Sequence, residues 1–183
     1  HATLIDKIDF LRQKNSGDHL FTRLANRIRQ NEPVVLLLRD TGTTGLSGPV
    51  RRDNKEWNTS NERKNFESLV YQLGQSHGAV ISGGTYGFGK SVYYLTSTSG
   101  LVMFYSRSKE GERLAFNLVS KDEQQAATGS TGIAWWGETY TYDGSQYSAP
   151  ITNEESIIQI LGKLGMQDYR LPVNTFGTII CII

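Results

Sequence analysis

The chain has 183 residues, 38% of them hydrophobic and 20% charged, values that fit one soluble globular domain and exclude a disordered chain or one built of membrane spans. Nineteen basic against eighteen acidic side chains leave a formal charge of +1, so no global field draws the chain to nucleic acid or anionic lipid. Its single cysteine, Cys181, has no internal disulfide partner, which suits a reducing, cytoplasmic compartment.

No apolar h-region follows His1-Ala2-Thr3-Leu4, so no signal peptide is expected. A start without methionine is expected of a piece cut from a longer protein. Leu4, Ile8 and Leu11 recur at helical spacing within residues 3–14, and Leu20, Leu24 and Ile28 within residues 18–30. Both stretches predict amphipathic helices, separated by Gly17-Asp18. After Pro33, the apolar run Val34-Val35-Leu36-Leu37-Leu38 reads as a strand buried on both faces, which delivers Arg39-Asp40 to its end. A glycine-rich loop follows over residues 41–49, with Gly42, Gly45 and Gly48. Buried strand, aspartate and spaced glycines can make a nucleobase pocket: the carboxylate accepts a hydrogen bond from an exocyclic amine, and the glycines leave room for the ring. The plainer alternative is an aspartate that caps its own turn.

Residues 50–60 are polar and mixed in charge, with Arg51, Arg52, Asp53, Lys55 and Glu56. They read as a solvated loop; nucleic acid is not indicated, since no aromatic ladder accompanies the charges. Phe66, Leu69, Val70 and Leu73 predict a helix over residues 61–75. His77 reads as structural rather than as a catalytic base. In the stretch from Ser82 to Ser91, Gly83, Gly84, Gly87 and Gly89 provide a backbone able to take positive φ and approach a ligand, and Lys90 adds a positive charge. These are the parts of a phosphate cradle. Read literally, Gly84 to Ser91 satisfies G-x-x-x-x-G-K-[ST], the loop of P-loop NTPases. That motif belongs between a buried strand and a long helix in repeated βα units. Here only Ala79-Val80-Ile81 precedes it, and Thr96-Ser97-Thr98-Ser99-Gly100 leaves room for a short helix alone.

Residues 101–107 predict a strand, Lys109-Glu110-Gly111-Glu112 its turn and residues 114–119 the antiparallel return. Residues 131–136 and 139–142 are further strands, and Asp143-Gly144 carries a hairpin signal. Trp135 and Trp136, adjacent in a strand, should face core and surface in turn rather than stack a ligand together. Thr152 and Glu155 form a capping box for a helix that buries Ile157, Ile158, Leu161 and Leu164 and ends at Gly165. Residues 176–183 close the chain as a buried strand, in which Thr178 on its own is ordinary β-former chemistry.

Asp40-x-Gly42-x-x-Gly45, followed by Gly84-x-x-Gly87-x-Gly89, resembles the first and second glycine boxes of the GHKL ATPases, the superfamily of DNA gyrase, MutL, the large heat-shock chaperones and histidine kinases. D-x-G-T-T-G-L-x-G-P, G-G-T-Y-G-F-G-K and a strand ending in Tyr105-Ser106-Arg107 bring the chain nearer a bacterial branch of histidine-kinase-like ATP-binding proteins. The resemblance spans about Val34 to Ile183. It implies an α+β fold: a two-layer α/β sandwich of the Bergerat type, with a mixed, mostly antiparallel sheet on one side and helices on the other. One domain over residues 1–183 is expected, with a helical lead-in over 1–30 and the nucleotide-binding core over 34–183.

The resemblance further implies ATP and Mg2+ as cofactors. Asp40 selects adenine, with Thr178 fixing its hydrogen bonds and Gly42 and Gly45 clearing space. Gly84, Gly87 and Gly89 bring amides onto the phosphates, and Lys90 neutralises charge at the outer phosphate. Implied partners are other domains of a parent chain and a homodimer whose lid moves with nucleotide. The superfamily's catalytic glutamate and magnesium-binding asparagine, carried on one helix, have no counterpart at the matching place; Glu62 and Asn65 follow the first glycine box, in the wrong order. Three functions stay open: an ATP-binding domain of a larger ATPase, a nucleotide-sensing or interaction module without turnover, and a P-loop NTPase.

Overall fold

In the computed structural model, the described residues are 26, 35–59, 64–72, 88–119 and 133–183. The helix expected over residues 3–14, that expected over 18–30 apart from residue 26, His77, Gly84 and Gly87 lie outside them. Among the described residues, seven strands form two sheets: β1 (Leu36–Thr41), β2 (Leu101–Ser108), β3 (Gly111–Val119), β4 (Ile133–Trp136), β5 (Glu138–Tyr142), β6 (Ser145–Ala149) and β7 (Gly177–Ile182). The main sheet has the order β1-β7-β2-β3-β4 and β5-β6 is a separate hairpin, with every one of these pairings antiparallel. The α-helices are the single turn α1 (Glu56–Thr59), α2 (Phe88–Thr96) and α3 (Glu154–Lys163). The α+β class is therefore observed. Among the described residues no helix is long and apolar enough to cross a membrane.

β2 is buried along its whole length because it has a neighbour on each side and a covered surface on each face. Alternate side chains of a strand point to opposite faces, and the two sets join different cores. Met103, Tyr105, Leu114, Phe116, Ile179 and Cys181 pack against Ile157 and Leu161 of α3. Val102, Phe104, Ala115, Ile180 and Ile182 pack against Tyr94 of α2 and against Phe66 and Val70. Helices thus cover both faces, which corrects the expectation of helices on one side alone. Phe66 and Val70 occupy a short helical segment that is π-helical over Glu67–Tyr71, rather than the regular α-helix its spacing predicts.

The expected buried strand at Val34–Leu38 is corrected as well. β1 runs on through Asp40 and is an edge strand, paired with β7 alone among the described strands, with Leu36 and Leu38 48% and 40% exposed. α3 is capped one residue later than the capping box predicts: Asn153 Oδ1 accepts from the Ser156 amide at 2.8 Å, and Asn is among the strongest N-cap residues. Gly165, at φ +69°, ends this helix; the amides of Gly165 and Met166 reach back to the carbonyls of Gly162 and Leu161, closing a Schellman motif. Ile158, expected in the core, faces solvent. The Asp143-Gly144 turn has positive φ at both residues, as a type I′ hairpin requires.

The α3 face also holds a buried ionic network. Arg107 and Glu112 are register partners across the β2–β3 hairpin. Glu112 accepts from Tyr105 Oη at 2.5 Å, from Arg107 at 2.5 Å and from Arg170 through both carboxylate oxygens at 2.8 and 2.7 Å. Burial alone would raise the Glu112 pKa. Hydrogen bonds from Arg170 and Tyr105, with the charges of Arg107 and Arg170, outweigh it and hold the carboxyl below its ordinary value. Removing one partner of a buried charge pair costs about 3–5 kcal/mol, so Glu112→Gln should lower stability at neutral pH by about 3 kcal/mol. The depressed folded-state pKa means that Glu112 contributes fully above its unfolded pKa of about 4.3 and loses that contribution as pH falls toward the folded-state value. Urea unfolding of wild type and Glu112→Gln at neutral and acid pH should therefore show the gap between them narrowing on the acid side.

Candidate functional site

On the α2 face, four adjacent strands place one residue each in a row. Asp40 of β1 is the register partner of Thr178 of β7, Thr178 that of Ser106 of β2, and Ser106 that of Arg113 of β3. Directly opposite residues in an antiparallel pair hold their Cβ atoms roughly 4.5–5.5 Å apart, so Asp40 and Thr178 are side by side at the sheet edge. Asp40 is exposed and Thr178 buried. Gly177 permits this closeness: a Cβ there would lie 2.1 Å from the Asp40 carbonyl oxygen.

The glycine loop after β1 is fastened over the same row. The Leu46 amide donates to Ser106 Oγ at 2.8 Å, and Arg113 donates to the Leu46 carbonyl. The Gly42 amide donates to the Phe176 carbonyl at 3.1 Å, and Asn65 donates to Ser47 through its amide and its side chain. Gly42, Gly45 and Gly48 all have positive φ. Their demands differ: a Cβ on Gly42 would meet nothing within 4 Å, whereas one on Gly45 would lie 2.2 Å from the Arg107 carbonyl oxygen.

Ser106 Oγ also donates to the Gly177 carbonyl at 2.8 Å and lies 3.3 Å from Thr178 Oγ1. A serine hydroxyl has one proton and two acceptor sites. With that proton given to Gly177, Thr178 is the donor in the second contact. The Thr178 oxygen keeps its acceptor sites, so the edge of the row carries two acceptors, Asp40 and Thr178.

Of the second glycine box, Gly89 and Lys90 fall within the first turn of α2, and Ser91 follows in the same turn. The expected lid therefore passes into helix earlier than the glycine spacing suggests. Lys90 Nζ donates to the Ser68 carbonyl and lies 3.5 Å from that of Gln72, so it ties the start of α2 to the π-helical segment. Partial burial lowers its pKa from the usual lysine value. At the other end of α2, Ser97 and Ser99 donate to the Ile183 carbonyl, Ser99 at 2.7 Å, beside the start of β2.

Ser106 and Arg113, which hold the glycine loop, are not legible as site residues in the sequence. Their available signal is that polar side chains stand where strand alternation calls for buried positions. The Tyr105-x-Arg107 pair points to the other face and serves the Glu112 network. Among the described residues no group of three His, Cys, Asp or Glu side chains stands together. Comparison with protein-family models, curated proteins and solved structures finds no significant match.

Gly42→Ala should cost roughly 1–2 kcal/mol, the strain of a left-handed conformation alone. Gly45→Ala adds the backbone collision and should cost at least about 3 kcal/mol. Denaturant unfolding of the two variants measures the difference; equal losses would show that the loop is not held against β2.

Proposed function

We propose that the chain is an ATP-binding domain of the GHKL type, which couples nucleotide binding or hydrolysis to conformational change in a larger protein. The observation that carries this is the direct pairing of Asp40 with Thr178 under a fastened glycine loop. A pair of acceptors selects a ligand group with two donors, and the exocyclic amine of adenine is such a group. Asp40 would take one of its hydrogens and Thr178 the other, directly or through water, while Gly42 keeps the approach to the ring clear.

The first-turn amides of a helix have no intrahelical acceptor and favour an anion. α2 lies on the same face as Asp40, and its last turn is tied to the Leu101 end of β2. In this proposal, phosphates attached to the bound base would reach the amides of Gly89 and Lys90 in its first turn. The Lys90 ammonium would exchange carbonyl partners for the outer phosphate. Gly84 and Gly87 keep the role of lid amides in this proposal. Hydrolysis requires acidic and magnesium-binding groups beyond the residues named for this pocket. Binding without turnover stands as the second reading. A P-loop would need a parallel sheet and a long helix; the antiparallel sheet and nine-residue α2 favour the Asp40 pocket instead.

Isothermal titration with ATP and magnesium tests the proposal. A hydrogen bond to a charged group contributes about 1.5–3 kcal/mol, so Asp40→Asn should weaken ATP by about tenfold to a hundredfold. Thr178→Val should weaken it by roughly fivefold, the worth of one neutral hydrogen bond. Unchanged affinity in Asp40→Asn would remove Asp40 from any adenine site.

A further inference from the structure

At the opposite edge of the same sheet face, beside β4, lies a cavity of about 250 Å³ whose walls include Trp57, Tyr71, Trp135, Tyr140 and Tyr147. In the sequence the charges of residues 50–60 come without an aromatic ladder. The fold supplies one from the β5–β6 hairpin. Arg52 lies 4.6 Å above the Tyr147 ring and 5.9 Å from that of Trp57, Arg51 lies 4.5 Å above Tyr140, and Lys64 lies 4.0 Å from Trp57. Tyr140 and Tyr147 stack at 5.7 Å, and Tyr140 Oη accepts from the Arg52 amide at 3.0 Å. Aromatic rings and cations therefore alternate around one opening.

Three features specify what fits. First, the Trp135 indole is 37% exposed at the cavity while Trp136, facing the other way, is packed on Phe116; Trp135 thus offers a platform for a flat ring. Second, the interior is polar in a directional manner. The Glu67 carboxylate is buried and only loosely paired with Arg52 at 3.9 Å, and Tyr71 Oη is buried with no hydrogen-bond partner among the described residues. An acceptor and a donor that lacks a partner stand ready for the edge of a heterocycle. Third, the rim is cationic: Arg51 is neutralised by Asp53 at 2.6 Å, but the Arg52 side chain is 44% exposed and Lys64 lies over the ring of Trp57, a wall residue.

We propose that this cavity receives one unstacked base of a single-stranded nucleic acid, stacked on Trp135, with its edge read by Glu67 and Tyr71 and its flanking phosphates on Arg52 and Lys64. Aromatic and guanidinium planes are the surfaces on which single-stranded bases stack. The volume lies below the roughly 300–1,000 Å³ of a site that encloses a drug-sized molecule; it admits a ring system and leaves sugar and phosphates at the rim. An organic cation fits the same aromatic rings poorly, because Arg51, Arg52 and Lys64 already occupy their faces and would repel it. The site is independent of the Asp40 pocket, which lies at the far edge of the sheet.

Fluorescence anisotropy of a labelled, mixed-sequence single-stranded oligonucleotide with the whole chain is the test. Wild type should bind, Trp135→Ala should bind about tenfold more weakly, and Trp135→Phe should stay within threefold of wild type. Arg52→Ala combined with Lys64→Ala should flatten the slope of log affinity against log salt by about 1.4, roughly 0.7 for each lost phosphate contact. Circular dichroism melting of each variant separates loss of binding from loss of fold. No binding by wild type, equal binding by folded Trp135→Ala, equal binding of the matching duplex, or saturation by mononucleotide or tetramethylammonium instead of the strand would each overturn the proposal.

Discussion

β7 is the strand on which the arrangement of the α2 face depends, because among the described strands it alone joins β1 to the remainder of the sheet. Its register decides which side chains become neighbours: shifted by one residue, Thr178 would turn to the α3 face and Asp40 would stand beside Ile179 or Gly177. Two local features secure the register. Gly177 admits the Asp40 carbonyl where any side chain would collide, and the Ser106 hydroxyl bonds the Gly177 carbonyl from the next strand. The acceptor pair at the sheet edge is thus a product of backbone contacts on either side of it.

The two faces solve different problems with polar groups. On the α3 face, Glu112 gathers Tyr105, Arg107 and Arg170, which links the β2–β3 hairpin to the segment leading into β7. On the α2 face, Ser106 accepts from the Leu46 amide and Arg113 donates to the Leu46 carbonyl, so both hold a loop backbone. One network ties down core elements and the other presents a loop. Burial also drives the Cys181 thiol pKa up to about 12, so this side chain acts in β7 as a small hydrophobe and stays protonated at neutral pH.

Elements whose signals are local were legible in the sequence. Alternation and the Asp143-Gly144 dipeptide located the hairpins, and Gly165 located the end of α3, because each rests on neighbouring residues alone. What the sequence did not disclose depended on partners far along the chain. The apolar run before Asp40 has the composition of a central strand, and only its place beside β7 makes it an edge. Arg107 opposite Glu112 could have been found from the two-residue turn between β2 and β3, whereas nothing near Arg170 announces that it completes the network. The charges within residues 50–60 read as solvated for a similar reason: Tyr140 and Tyr147, which give Arg51 and Arg52 a surface to lie on, belong to a later hairpin. For the first glycine box, the sequence supplied the residues but not the fastening, since Ser106 and Arg113 carry no motif of their own.

The separation of β1 from β7 along the chain also orders assembly. The β2–β3 and β5–β6 hairpins can close early across two-residue turns, since short loops cost little entropy to form. β1 has no strand partner among these early structures and waits for the most distant pairing in the sheet, the kind of contact that slows folding. The acceptor pair of Asp40 and Thr178 is therefore among the last features to form and, by the same logic, among the first to be lost when the edge of the sheet frays.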